Sequence, residues 1–238
     1  MFSGFFKDLY LREELVILKG ARSLVPKIRW IPFVVALLIG ISVMSSVESY
    51  AEGQRITSMK SQMMAIQKNQ EEKVIVKDRE VQQQVVAKTF KSVNASLDDG
   101  AALKFAQYVM EAGDYFGVDP FLIASIIIKE SHVKYKAKSK RAAYGLMQVN
   151  WKVHRHNISN TFSDIRTLSD LIQPKNNILV GTYIFSCYFK SSGGNVSKAL
   201  SRYLGASGRK YIASVMKYHG KMKELYSFHI EQTRQQIS

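Results

Sequence analysis

Residues 30–47, WIPFVVALLIGISVMSSV, form eighteen consecutive positions without a charge, and no other stretch limits the fold as strongly. That length just meets what a helix needs to cross a hydrocarbon core about 30 Å thick. A run apolar on every side reads as a lipid-facing helix rather than one face of a soluble core. Lys7, Arg12, Lys19, Arg22, Lys27 and Arg29 precede it, and Glu48 and Glu52 follow. The positive-inside bias therefore predicts a transmembrane helix over 29–47, with residues 1–28 cytoplasmic and the remainder across a bacterial inner membrane, in the periplasm (a virion membrane fits the same pattern). The small residues SYA at 49–51 keep a cleaved leader open as the alternative. Ala36 and Gly40 make a small-xxx-small pair, a surface against which a second copy or another envelope protein can pack. Residues 1–28 interleave bulky apolar and basic side chains, which suits either an amphipathic surface helix or a plain tail.

Beyond the apolar run the composition shifts twice. Residues 48–97 are rich in Gln, Lys, Glu, Met and Val, with Gly53 as their one glycine and no proline. Ile56, Met59, Met63 and Ile66 keep 3-4-3 spacing before the pattern falters at Gln70 and Lys73, which predicts a partly helical stalk. From Asp98 to Ser238 the signals are those of a compact, mainly α domain. Asp98 and Asp119-Pro120 mark helix starts and Gly117 a stop. The polar, glycine-containing stretch 132–150 reads as a loop or small hairpin. A third helix follows Pro174 up to Gly193-Gly194. Asn195 caps a short helix through Tyr203, and two further helices fill 208–231. One cysteine, Cys187, excludes a disulfide framework and reads as a small buried residue inside its helix. No nucleotide-binding loop and no metal-ligand spacing occurs, so neither cofactor nor metal is expected, and His154 and His156 read as surface residues.

Lys and Arg number 34 against 19 Asp and Glu, a net charge of +15. Such a balance attracts an anionic partner. Within 98–238 the counts are 20 and 10, and Lys134, Lys136, Lys138, Lys140 and Arg141 crowd one loop. No aromatic array interleaves with that loop, so nucleic acid is not the expected partner.

One acidic residue stands apart. On a helix over 120–131, Glu130 follows Ile126 and Ile127 at i+4 and i+3, and so extends an apolar stripe instead of the wet face. It also lies in the last turn, where the helix dipole disfavours negative charge. Both effects raise a carboxyl pKa and suit a general acid. A glutamate at a helix end that reaches solvent is the plain alternative.

The motifs IKES at 128–131, AAYGLMQVN at 142–150, NNILVGTYIF at 176–185 and ALSRYLGA at 199–206 come in an order and spacing that resemble the lytic transglycosylases with a lysozyme-like fold, the soluble lytic murein transglycosylase (SLT) catalytic domain. The resemblance covers roughly 100–220. It implies a goose-type, lysozyme-like helical domain with Glu130 as catalytic acid and base. It further implies that Ser139, Gln148, Asn150 and Tyr203 line a groove near Glu130 for the sugars of peptidoglycan, that Gly145, Leu146 and Met147 shape its wall, and that Asn177 supports it from beneath. Three positions depart from the family pattern: Ala142 where glycine is usual, Leu204 where asparagine follows the tyrosine, and Tyr135 in place of a frequent proline. The implied reaction is non-hydrolytic cleavage of the MurNAc–GlcNAc bond to a 1,6-anhydro end, in the service of an envelope-spanning machine such as a secretion system, or of a virus. A lysozyme-like hydrolase using water and a catalytically weak binding scaffold are the alternatives.

Overall fold

The computed structural model describes residues 30–237, with side chains through 232; the expectation for 1–28 lies outside the described residues. The chain divides into two compact units at Glu71/Glu72.

In the first unit, helix α1 (Ile31–Val93) begins with the apolar run. An 18-residue window of this helix has mean hydropathy 2.0, and every residue of 30–47 is exposed. By length and composition this is the one described helix able to cross a membrane. The helix continues without interruption through residues read as a partly helical stalk, because 48–93 holds no proline and Gly53 alone weakens it.

The second unit is mainly α with one small hairpin, as expected. It begins before Asp98. Val85, Val86, Ala87 and Phe90, the last turns of α1, are buried within the main core. These turns are fastened by an Arg79–Asp114 ion pair and by Lys91, whose Nζ reaches the Leu97 carbonyl (2.6 Å) and Asp99 (2.9 Å). Helix α2 (Asp99–Phe116) is capped by Asp98 and ended by Gly117 in the left-handed conformation (φ 65°). Helix α3 (Pro120–Ser131) starts with the Asp119 carboxylate accepting from the Phe121 amide and Pro120 in the first turn. Strands β1 (Ala143–Tyr144) and β2 (Val149–Asn150) pair antiparallel. Helices α4 (Trp151–Thr161), α5 (Leu168–Ile172), α6 (Pro174–Ser191), α7 (Val196–Leu204) and α8 (Arg209–Ile237) complete the domain.

Helix α3 runs through the middle. All eight residues of 121–128 are buried, so it is enclosed on all sides rather than along one stripe. It packs against α2 and α8, α2 packs against α6, and α6 against α7. Three local expectations change. The C-terminal region is one helix, not two, because Tyr211, Val215 and Met222 recur on a single buried face that carries it past Gly220. Helix α4 forms where no helix was predicted, since its polar sequence buries only Ile158. Cys187 is exposed, on the outer side of α6.

Because Phe90 is fully buried at the base of α1, Phe90→Ala should destabilise the second unit by about 3–5 kcal/mol. Denaturant unfolding measures this, and a loss below about 1 kcal/mol would place the base of α1 outside the cooperative unit.

Candidate active site

Glu130 lies two residues beyond the buried stretch of α3, half-buried, just before the buried Ser131. The helix closes just beyond it, with His132 (φ 50°) and Val133 (φ 60°) both left-handed. Such backbone is costly for β-branched valine and persists only when packing fixes it; Val133 is fully buried. The turn is thereby set, and Glu130 with it.

Tyr211, from the first turn of α8, donates its hydroxyl to Glu130 Oε1 at 2.6 Å. Burial pushes the Glu130 carboxyl above its ordinary value of 4.5, while the Tyr211 hydrogen bond and the Lys129 charge oppose that rise without cancelling it. Burial and the facing carboxylate also push the Tyr211 phenol far upward, so it stays protonated and remains a donor. Tyr203 lies within the field of Glu130 and its phenol is likewise raised, by burial first and Glu130 second. Its hydroxyl donates to the Met147 carbonyl at 2.8 Å, tying α7 to the segment between the strands.

That segment is organised by Asn177, fully buried on α6. Its Oδ1 accepts from the Met147 amide (2.8 Å), and its Nδ2 donates to the carbonyls of Tyr144 (2.9 Å) and Leu171 (3.3 Å). The amide presses so closely on Gly145 (φ 79°) that a Cβ there would run into it. Leu146 and Met147 are fully buried, so they support the turn from inside the core and do not face a groove. Met147 lies directly against Gly181, where a Cβ would strike it, and this gives the glycine in NNILVGTYIF a packing reason.

Three other predicted residues have local partners. Gln148 (φ 49°) donates from Nε2 to the carbonyls of Ala137 (3.2 Å) and Gly145 (3.1 Å). Ser139 Oγ accepts from the Arg141 and Ala143 amides, and Asn150 caps α4 while donating to the Arg141 carbonyl (3.0 Å). The geometry thus joins Glu130 to Tyr211 directly, puts Tyr203 within the field of its carboxyl, and holds Ser139, Gln148 and Asn150 through bonds to the hairpin backbone. Tyr211 is the residue that sequence reasoning missed. It lies 81 positions from Glu130, and nothing local in GRKYIASV distinguishes it.

Among the described residues no other carboxylate bonds to Glu130 or perturbs it. Asp170 accepts from the Arg166 and Thr167 amides in the capping box of α5, which holds its carboxyl below the usual value, and Asp164 pairs with Ser163. No cluster of His, Cys, Asp or Glu able to hold a metal occurs among the described residues.

The family departures also find their places. Ala142 sits at φ 57°, the left-handed region that favours glycine. Leu204 is 38% exposed and rests against Gly208. Tyr135 packs edge-on against Phe105. Ala142→Gly should therefore raise stability by roughly 1 kcal/mol, seen as a higher melting temperature, and an unchanged or lower one would contradict the conformational reading.

A family model described as Transglycosylase SLT domain matches residues 107–225, half of the chain. Among solved structures, an inactive mutant of the lytic transglycosylase Slt from Pseudomonas aeruginosa is similar at 18% identity and a TM-score of 0.41, over 54% of this chain. The chain spans only 24% of that protein's length. On the strength of the family model, this chain belongs to the transglycosylase SLT-domain family.

Proposed function

We propose that the protein is a peptidoglycan lytic transglycosylase in which Glu130 acts alone as acid and then base. The observation that carries this reading is a half-buried carboxyl held by one tyrosine, with no second carboxylate beside it among the described residues. Ordinary glycosidases need two carboxyl groups, one for the leaving group and one for water or the anomeric carbon. A single carboxyl suffices when the sugar supplies its own nucleophile.

The proton logic follows from the contacts. Tyr211 holds Oε1, which leaves Oε2 to carry the proton. Burial keeps that proton on the acid nearer to neutrality than a solvated glutamate would. Glu130 donates it to the bridging oxygen as the bond to C1 of N-acetylmuramic acid breaks. The carboxylate left behind is stabilised by the Tyr211 hydroxyl. It then accepts the proton of the C6 hydroxyl as O6 bonds to C1, which closes a 1,6-anhydro ring. No water is consumed, and Glu130 returns to its starting state.

Substrate contacts fall to the hairpin and α7. Ser139, Gln148, Asn150 and Tyr203 are the candidates, supported by Gly145, Leu146, Met147 and Asn177. We further propose that residues 29–47 anchor the chain in the bacterial inner membrane, with the exposed part of α1 after residue 47 as stalk, and that the periplasmic catalytic domain comprises 98–238 together with the last turns of α1, which the expected boundary at 97/98 leaves in the stalk. Tethering would confine cleavage to the neighbourhood of an envelope assembly. The continuous apolar helix and the charge asymmetry around it support this placement.

Mass spectrometry of muropeptides released from sacculi tests the reaction. The expected products end in 1,6-anhydro sugars, one water lighter than hydrolytic ends, and Glu130→Gln should lower the rate at least about 100-fold. Products carrying the added water would instead indicate a lysozyme-like hydrolase. Tight sacculus binding without release, equal in parent and variant, would indicate a scaffold.

A further inference from the structure

A concavity of about 390 Å³ lies apart from Glu130, Tyr203 and Tyr211. It is lined by Tyr135, Lys136 and Lys138 of the loop after α3, by Tyr144 of β1, and on its apolar side by Leu168 and Ile172 of α5. No acidic side chain lines it. Lys136 Nζ is 5.4 Å from the centre of the Tyr135 ring, and Lys138 Nζ is 5.6 Å from that of Tyr144. Neither lysine forms an ion pair among the described residues. Each ammonium instead lies over an aromatic ring, which attracts it without neutralising it.

This arrangement selects its ligand. A sugar stacking on the tyrosines would have to displace the ammonium groups from the ring faces. An anion gains both charges at once, and small apolar groups on the same molecule find Leu168 and Ile172. Free carboxylates alternating with methyl groups describe a short acidic peptide. Ala137 also lines the cavity, and its carbonyl accepts from Gln148 Nε2. The cavity and the candidate sugar groove therefore share one strip of backbone.

We propose that this groove binds the anionic stem peptide of the glycan strand, with carboxylates at Lys136 and Lys138 and an alanine methyl over Leu168 and Ile172. The assignment rests on the reading of peptidoglycan as substrate. It gives the enzyme a means of reading peptide-bearing muramic acid at a distance from the scissile bond.

The test uses the full chain in detergent, comparing the parent with the double variant Lys136→Gln/Lys138→Gln, both exposed positions whose loss leaves the core intact. Binding is measured with a fluorescent muramoyl tripeptide bearing free carboxylates, the same compound with its carboxylates amidated, and an unrelated acidic tripeptide. The parent should prefer the free-carboxylate stem over both others, and the double variant should lose about threefold to tenfold in affinity for it alone. Unchanged binding by the variant, or equal binding of the amidated compound, overturns the groove. Equal binding of the unrelated peptide overturns its assignment to the stem. In turnover, the variant's KM should rise on intact sacculi and stay unchanged on glycan strands stripped of peptide, with kcat unaffected on both. A KM change equal on the two substrates also counts against the proposal. Should the parent cleave neither substrate, the catalytic reading fails while the binding comparison still decides the groove.

Discussion

One hydrogen bond organises the site. Tyr211 reaches from the start of α8 to the carboxyl at the end of α3, and the two helices pack along each other behind that contact. Burial alone would raise the Glu130 pKa and leave an orphaned acid. A lone donor alone would hold it ionised. Together they yield a carboxyl that can release a proton and then rest as a stabilised anion, and both states are needed if one residue serves as acid and base. The far end of α3 is bound to α8 as well: Asp119, its N-cap, meets His219 Nε2 at 2.8 Å. The helix that presents Glu130 is therefore fixed to α8 at both ends, which limits how far the carboxyl can wander from Tyr211.

The second element of the site is a turn that has no stability of its own. Four residues, Gly145 to Gln148, join two-residue strands, and a hairpin that small cannot persist in isolation. Asn177 supplies what the strands do not. Its side chain bonds one amide and two carbonyls from separate segments, acting as a piece of backbone inserted into the core. A buried side chain so fully bonded is stable where an unsatisfied one would be costly. Tyr203 closes the assembly from α7 by bonding the Met147 carbonyl, so two helices, α6 and α7, converge on one short turn.

How much of this is legible in the sequence depends on the range of the interaction. Helix starts are local, and Asp98, Asp119 with Pro120, and Asn195 all cap the helices they were expected to cap. Glu130 is legible because its neighbours four and three positions back are isoleucines. The mainly helical architecture follows from those caps and the apolar spacing between them. Tyr211 is invisible because its importance lies in a contact across 81 positions. The inward packing of Leu146 and Met147 is hidden for the same reason: α6 and Asn177 decide which way the turn faces. Cys187 shows the opposite error, since apolar neighbours in the chain say little about which side of a helix meets solvent. The base of α1 belongs to the core although its composition is continuous with the stalk, because Val85, Val86 and Phe90 differ from the exposed residues before them only in having partners.

The most direct measurement is the pH dependence of stability in the parent and in Glu130→Gln. A carboxyl whose pKa is raised on folding binds more protons in the native than in the unfolded state, so the parent loses stability as pH rises through the window between the ordinary 4.5 and the raised value. Glutamine carries no such cost. The account predicts that the variant's melting temperature exceeds the parent's at neutral pH, that the excess shrinks as pH falls through that window, and that it levels off below it. A difference that does not change with pH would mean that Glu130 titrates like a solvated glutamate, and a single buried acid could not then be the centre of this site.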